Sequence, residues 1–506
     1  MQLSKVVRQE WLLLTVLILV SLSSQIIFIV PVTLSDQMVY YHTAVNFPRL
    51  PQNPSHWSMR LGVVLPVAVI YRIFGHSEFT YYFLPISSTI LLVASTYLIG
   101  RMLFNRVVGA AAALWLSFLP YFLLESGNLL PDITASACVT TAIMLLLAIR
   151  EEPNGKSQRW IYLLSGALFG WGYLAKEYFA VFAVIIPLIF WLFKIPGKRL
   201  AWIAAGISLM VAIEFGIHAV SYGNPLLRLT TSQPRETIGY IERDVLHIIG
   251  LFFIRLSRYR GLFSILIAAS GLTYLIIQSI QRSKIHLVLL IWFLMVYIFF
   301  TVLGLLPVLL NWEDTVLLRL HVFRYWIPLL PPLAIASAAA LNCLIRRVVK
   351  PFTPHNRSIR SFTGLLLALV FIAAGINNIL AVWSSPKFTR TESGHYLELR
   401  AYLRENVQAD REMWIVRDLK IGYEYVLPIY AHTPFGKENW RGTIKYLNTD
   451  GLFLRADEIT TGSVLVDRVH FNPAAYPIPV YLADIPENWR LAFQSRNGRI
   501  AIYDVR

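Results

Sequence analysis

Along most of this chain, apolar residues neither alternate with polar ones nor recur at helical spacing. They run on for roughly the 20 residues that a helix needs to cross about 30 Å of hydrocarbon while satisfying its own backbone. The pattern predicts spans at Trp11–Pro31, Phe79–Gly100, Val107–Leu124, Leu130–Ile149, Trp160–Ala175, Tyr178–Phe193, Leu200–Val220, Leu262–Ile280, Ile285–Leu306, Tyr325–Ile345 and Phe362–Trp383. That makes a polytopic α-helical membrane protein of about eleven crossings. Two further stretches, Leu61–Phe74 and Val245–Leu256, are too short to span and are expected to lie along the surface or re-enter. The first span follows Lys5 and Arg8 but is longer than a signal-peptide core and lacks a clear cleavage site, so an uncleaved anchor is expected.

After Trp383 the long apolar runs end and charge rises, which sets a boundary near Ser385 between a membrane domain, 1–384, and a small soluble α/β domain, 385–506. His395–Glu405 has helical spacing, and Met413–Val416, Tyr425–Tyr430 and Val464–Val466 read as strands. Asn497-Gly498, between Leu491–Gln494 and Ile500–Tyr503, is a two-residue hairpin signal.

Composition agrees with a membrane setting. The 506 residues are 56% hydrophobic and 15% charged, with mean hydropathy +0.56, against about 45–50% and about 25% in soluble proteins. The net charge of +16 reads as basic cytoplasmic loops rather than a nucleic-acid surface. With the N-terminus inside, alternate loops carry Arg101 and Arg106; Arg150, Lys156 and Arg159; Lys194, Lys198 and Arg199; Arg282 and Lys284; and Arg346, Arg347, Lys350, Arg357 and Arg360. An odd number of crossings then puts the C-terminal domain outside. Cys138 and Cys343 both sit in apolar runs, so neither a disulfide framework nor a thiolate metal site is expected.

The outer side then carries a long first loop, 32–78, and shorter ones near Glu125–Leu129, Lys176-Glu177, Ser221–Gly261 and Pro307–Arg324. Ionisable residues at a membrane boundary cost free energy unless they pair or work. Asp36 opens the first loop, and Asp132 stands at the mouth of the fourth span, where capping of a helix N-terminus is the plain alternative to chemistry. Arg60, Lys176, Arg324 and the Arg255/Arg258/Arg260 cluster break the positive-inside bias, which calls for an anionic partner such as phosphate. The plain alternatives are snorkelling, or pairing of Lys176 with Glu177 and of Arg324 with Glu313 or Asp314.

The order and spacing of these residues resemble one family. Ser35-Asp36-Gln37…Tyr40-Tyr41, Met59-Arg60-Leu61-Gly62 to Ile73-Phe74-Gly75, Gly100-Arg101-Met102-Leu103-Phe104, Pro131-Asp132, Gly166-Ala167-Leu168-Phe169-Gly170…Lys176-Glu177 and Arg324-Tyr325-Trp326-Ile327-Pro328 follow one another over roughly Thr33 to Ala340. The set is similar to the polyprenyl-phosphate-sugar-dependent glycosyltransferases of the C-type fold, in the branch of protein O-mannosyltransferases and lipid A aminoarabinose transferases. Two departures stand out. Gln37 follows Asp36 where many relatives have Glu, and Glu125–Asn128 lacks the Arg that mannosyltransferase-like members carry before the second acid.

The resemblance implies an inverting membrane glycosyltransferase. It would move a sugar from an undecaprenyl- or dolichyl-type phosphate donor to a hydroxyl of a glycan, lipid or protein on the outer face of the cell membrane. It implies Asp36 as base, Asp132 as second acid, Lys176 and Arg324 as lipid-phosphate ligands, and Arg60, Tyr325 and Glu177 as further members of the donor site. No cofactor is expected. His42, His56 and His247 stand on the outer side, and Asp36 or Asp132 could complete a divalent site with them, but no ligand spacing supports a metal. The competing class is a lipid-linked-sugar transporter or flippase, or a non-catalytic lipid-binding membrane protein. Internal repeats and broken helices meeting at mid-membrane would mark a transporter, and neither is read in the sequence.

Overall fold

The computed structural model describes residues 2–34, 36–125, 127–150, 158–231, 245–257, 262–281, 283–310, 323–349, 356–384, 394–406, 412–416, 423–431, 443–447, 459–467 and 485–505. The helices are α1 (Gln2–Ile27), α2 (Asp36–Asn46), α3 (Leu61–Phe74), α4 (Glu78–Leu103), α5 (Arg106–Ser117), α6 (Pro120–Glu125), α7 (Pro131–Ala148), α8 (Arg159–Ala175), α9 (Ile185–Phe193), α10 (Leu200–Tyr222), α11 (Leu227–Thr230), α12 (Val245–Ser257), α13 (Leu262–Ile280), α14 (Lys284–Leu309), α15 (Leu330–Val349), α16 (Asn356–Trp383), α17 (Gly394–Asn406) and α18 (Tyr423–Ala431). Short 3₁₀ turns, Glu177–Val184 and Phe323–Leu329, lead into α9 and α15. Five strands follow: β1 (Met413–Val416), β2 (Ile444–Leu447), β3 (Ser463–Asp467), β4 (Trp489–Gln494) and β5 (Ile500–Val505).

Among the described residues, seven helical segments are long and apolar enough to cross a membrane: Glu10–Ile27, Glu78–Leu103, Pro131–Ala148, Gly197–Tyr222, Lys284–Leu306, Phe323–Val349 and Phe362–Trp383. Other expected crossings are shorter helices, such as Arg106–Ser117 and Glu177–Phe193. Leu61–Phe74 and the apolar part of α12 are likewise short.

Residues 1–29, 53–63 and 85–385 form one compact unit; 30–52, 64–84 and 386–506 form another. The first is a helical assembly around α7, which is buried along its whole length. Hydroxyl pairs tie α7 to α4, Ser88 to Thr134 at 3.1 Å and Ser95 to Thr141 at 2.9 Å, as expected where no water competes. At the far end of α4, the buried carboxylate of Glu10 on α1 accepts from the Tyr97 hydroxyl at 2.9 Å and pairs with Arg106 at 2.6 Å. Helices α8 and α10 meet through small residues. A Cβ at Gly166 would lie 2.1 Å from the carbonyl oxygen of Ile203, and one at Gly206 would lie 2.2 Å from that of Leu163.

In the second unit the strands form one sheet in the order β2-β1-β3-β5-β4; β1 is parallel to β2 and β3, and β5 is antiparallel to β3 and β4. The hairpin between β4 and β5 turns where expected, with Gly498 at φ +67°. The helix expected at His395–Glu405 is α17. The strand expected at Tyr425–Tyr430 is instead helix α18. Tyr423, Val426, Leu427 and Tyr430 are all fully buried at i, i+3, i+4 and i+7, a helical face that the shorter window missed. Strand β2 lies in a stretch with no strand expected. Helix α18 packs on the segment after α1: the Tyr425 hydroxyl bonds His42, and the Tyr430 hydroxyl donates to the carbonyl of Val32. Glu78 pairs with Arg400 at 2.6 Å and Arg404 at 3.2 Å.

The close approach of α8 and α10 makes a size prediction. Gly206→Leu must displace backbone and is expected to cost at least about 1–3 kcal/mol. Gly216→Ala on the same helix, where nothing lies within 4 Å of the added carbon, is expected to hold or slightly raise stability. Thermal unfolding of the two detergent-purified variants checks the contrast.

Candidate active site

Pro131 starts α7 and Leu130 caps it without a side-chain hydrogen bond, so Asp132 sits in the first turn, where the helix dipole favours a negative charge. Its carboxylate does not cap the helix. Oδ1 takes the Lys176 ammonium at 2.5 Å and the Tyr178 hydroxyl at 2.5 Å. Oδ2 has no hydrogen-bond donor among the described residues and faces Arg324 Nε at 3.9 Å. Asp132 is fully buried and Lys176 is 2% exposed.

Lys176 follows the C-terminus of α8 in an extended conformation, which swings it out of the helical path before the next turn begins. Its ammonium lies 4.2 Å from the centre of the Tyr325 ring and 4.8 Å from that of Tyr178, so aromatic faces supply part of the solvation that water no longer gives. Burial pulls this amine's pKa below its ordinary range; Asp132 opposes the fall, and Arg60 and Arg324 add to it. A further anion beside it would favour the charged form of the amine.

Next along the chain, Glu177 points to other partners. Its carboxylate meets Arg60 at 3.4 Å and Arg228 at 2.9 Å. Burial works to raise its pKa, and the two guanidiniums override that and hold it well below the usual carboxylate range. Arg60 is brought there by backbone contact. Gly62 lies so near the end of α8 that a Cβ would fall 2.4 Å from the Ala175 nitrogen, and the Trp171 indole donates to the Gly62 carbonyl at 3.0 Å. Arg228, on α11, continues the chain of charges to Glu214 of α10 at 2.5 Å and also donates to the carbonyls of Tyr173 and Leu174.

The first unit thus brings together Asp132, Lys176, Glu177, Arg324, Tyr325 and Arg60, joined by Tyr178, Arg228 and Glu214. The plain pairing of Lys176 with Glu177 is not seen, because its partner is Asp132. Asp36 opens α2, half-buried, in the second unit. Glu313, Asp314, Arg258, Arg260 and the Arg255 side chain lie outside the described residues. His42 bonds Tyr425, and His56 stacks on Trp57 with ring centres 3.9 Å apart. Among the described residues, no three His, Cys, Asp or Glu side chains are grouped to hold a metal ion.

Residues 62–218 match the family model described as dolichyl-phosphate-mannose-protein mannosyltransferase, a stretch that contains Asp132, Lys176, Glu177 and Glu214. The fold extends the likeness to the whole chain. ArnT from Cupriavidus metallidurans in the apo state superposes with a TM-score of 0.60 at 14% identity, covering 98% of each chain. The same protein bound to undecaprenyl phosphate gives 0.62 at 13% identity, covering 99% of this chain and 98% of that one. This is the C-type glycosyltransferase fold. The oligosaccharyltransferase AglB from Archaeoglobus fulgidus, in complex with an inhibitory peptide and a dolichol-phosphate, matches at 0.50 with 14% identity, over 99% of this chain and 75% of that one. A comparison with curated protein sequences finds no match.

Three members of the cluster were not singled out from sequence. Glu214 carried a signal, being an acid inside an apolar span. Tyr178 and Arg228 carried none beyond nearness to Lys176 or to that span's end.

A test of the central pair follows from its burial. Lys176→Met leaves the buried Asp132 carboxylate with only Tyr178 and the more distant Arg324 and is expected to cost about 3–5 kcal/mol of stability, whereas Asp132→Asn/Lys176→Met removes both charges and should recover most of it. Unfolding midpoints of these two variants and of Asp132→Asn alone decide the matter; a loss in the double variant equal to the sum of the two single losses would mean that the pair is not energetically coupled.

Proposed function

We propose that the protein is an inverting glycosyltransferase that moves a sugar from a polyprenyl phosphate to an acceptor hydroxyl at the outer face of the membrane, with its N-terminus cytoplasmic and its C-terminal domain outside. The observation that carries this reading is the buried cluster at Asp132. It joins four cationic side chains, Lys176, Arg324, Arg60 and Arg228, to three carboxylates, Asp132, Glu177 and Glu214. The fold it shares with a protein crystallised with undecaprenyl phosphate supports the same choice of donor.

The chemistry suits such a site. As the bond between the anomeric carbon and the phosphate oxygen breaks, its electron pair stays on the phosphate, which gains a second negative charge while the sugar passes through an oxocarbenium-like state. A phosphate leaving group needs charge stabilisation rather than a proton, and prearranged cations in a dry site supply it. Lys176 and Arg324 hold the departing lipid phosphate, with Arg60 and Tyr325 beside them. Asp132 is the second acid, keeping the Lys176 ammonium and the Tyr178 hydroxyl in register. Asp36 takes the proton from the acceptor oxygen as it attacks the opposite face of the sugar. The side chains furnish the positive charge, so transfer is proposed to run without a divalent ion. Activity after prolonged chelation is expected to be unchanged, and restoration of lost activity by one added metal would overturn that part.

The decisive assay incubates purified protein with a panel of polyprenyl-phosphate sugars and follows release of free lipid phosphate. Release from one donor is expected. No cleavage, together with movement of intact lipid-linked sugar across vesicles, would make the protein a flippase instead. Asp36→Asn is expected to slow transfer by about 10²–10⁴-fold while donor affinity holds. Lys176→Gln and Arg324→Gln should weaken retention of the lipid phosphate itself. Wild-type rates in folded Asp36→Asn protein would remove the assigned base.

A further inference from the structure

Helix α15 has the residues of the candidate site before its start, at Arg324 and Tyr325. It carries a second feature near its other end, where a cavity of about 490 Å³ opens. Arg346 lies sixteen residues beyond Leu330, about 24 Å along the axis at 1.5 Å per residue. The cavity is therefore remote from Asp132 and Lys176, near the opposite membrane boundary. Asn342, Cys343, Arg346 and Arg347 line it at i, i+1, i+4 and i+5, one face of the helix, and Asn105 and Tyr274 complete the polar wall.

None of the described lining residues is acidic. Arg346 and Arg347 make no ion pair, and the Asn342 side chain makes no hydrogen bond, with any other described residue. The Tyr274 hydroxyl is held by His286 at 3.2 Å. Asn105 uses its side-chain oxygen to cap α5 through the Val107 and Val108 amides, which leaves its amide hydrogens to the cavity. Such a wall offers guanidinium, amide and hydroxyl groups toward an anion, the donor set of a phosphate site. The rest of its wall is apolar, made by Leu103, Phe104 and Ala339. A free anion has no use for that apolar wall, whereas an amphiphile does. Basic pockets between helix ends are where anionic lipid headgroups bind.

We propose that this pocket binds the phosphate of an anionic phospholipid headgroup, with the apolar part of the lipid starting against Leu103 and Phe104. The site takes a structural membrane lipid at the face away from the candidate active site, and it does not depend on glycosyl transfer.

The test uses full-length protein purified in a zwitterionic detergent and native mass spectrometry, with phosphatidylglycerol and phosphatidylcholine of matched chains as probes. Phosphatidylglycerol is expected to stay bound under activation that strips phosphatidylcholine. R346Q/R347Q should lower its retention at least five-fold, while K194Q/K198Q, which removes two exposed charges elsewhere, should leave it unchanged. Phosphatidylglycerol should also slow maleimide labelling of Cys343 in the wild-type protein. Equal retention of the two lipids, equal loss in both double variants, or full displacement by millimolar inorganic phosphate would each overturn the proposal. Because binding rather than turnover is read, these failures differ from failure of the transferase reading, in which no donor is cleaved.

Discussion

A carboxylate and an ammonium held 2.5 Å apart, with almost no exposure on either side, are the constraint on which the helical unit depends. Taking either charge out of water alone costs several kcal/mol, and mutual attraction recovers that only when geometry and further hydrogen bonds are good. The protein meets the condition by giving Asp132 a second donor in Tyr178 and a distant guanidinium in Arg324, and by placing Lys176 against the faces of two tyrosines. Such a pair is a poor source of net stability compared with apolar packing. Its presence is better explained by what it prepares, a fixed positive charge in a dry place.

The same logic extends outward. Glu177 does not neutralise its neighbour Lys176. It holds Arg60 and Arg228 instead, and Arg228 in turn occupies Glu214 in the middle of an apolar helix. The chain of alternating charge ties α8, α10 and α11 to the segment before α3. Each link limits the motion of the next, so the cations are held in place by the protein itself. Glycine makes the arrangement reachable. Without the bare Cα of Gly62 against Ala175, Arg60 could not come so near the turn that carries Glu177.

The two ends of α15 show how one helix serves different surroundings. The turn that leads into it brings Arg324 and Tyr325 to buried partners, while its trailing turns present arginines with no carboxylate opposite them among the described residues. Positive charge at that end agrees with the loop bias read from the sequence, in which Arg346 and Arg347 belong to a cytoplasmic run. The bias alone does not form a cavity, however; that needs Asn105 and Tyr274 from elsewhere in the bundle.

What the amino-acid order determined by itself was whatever depends on neighbours in the chain. Long apolar runs must be membrane helices because no other structure satisfies their backbone there. The hairpin at Asn497-Gly498 follows from local torsion preferences, and the helix at 394–406 from spacing. The acids and bases that break the hydrophobic pattern, Asp132, Lys176 and Arg324, were legible as individuals because a charge at a membrane boundary is costly wherever it sits. Which of them meet was not. Ion pairing acts over a few ångströms in space and takes no account of sequence distance, so Lys176 passes over Glu177 for an acid 44 positions earlier. Tyr178, Arg228 and the helical Tyr423–Ala431 acquired their roles from the surfaces packed against them, and only the tertiary structure contains those surfaces.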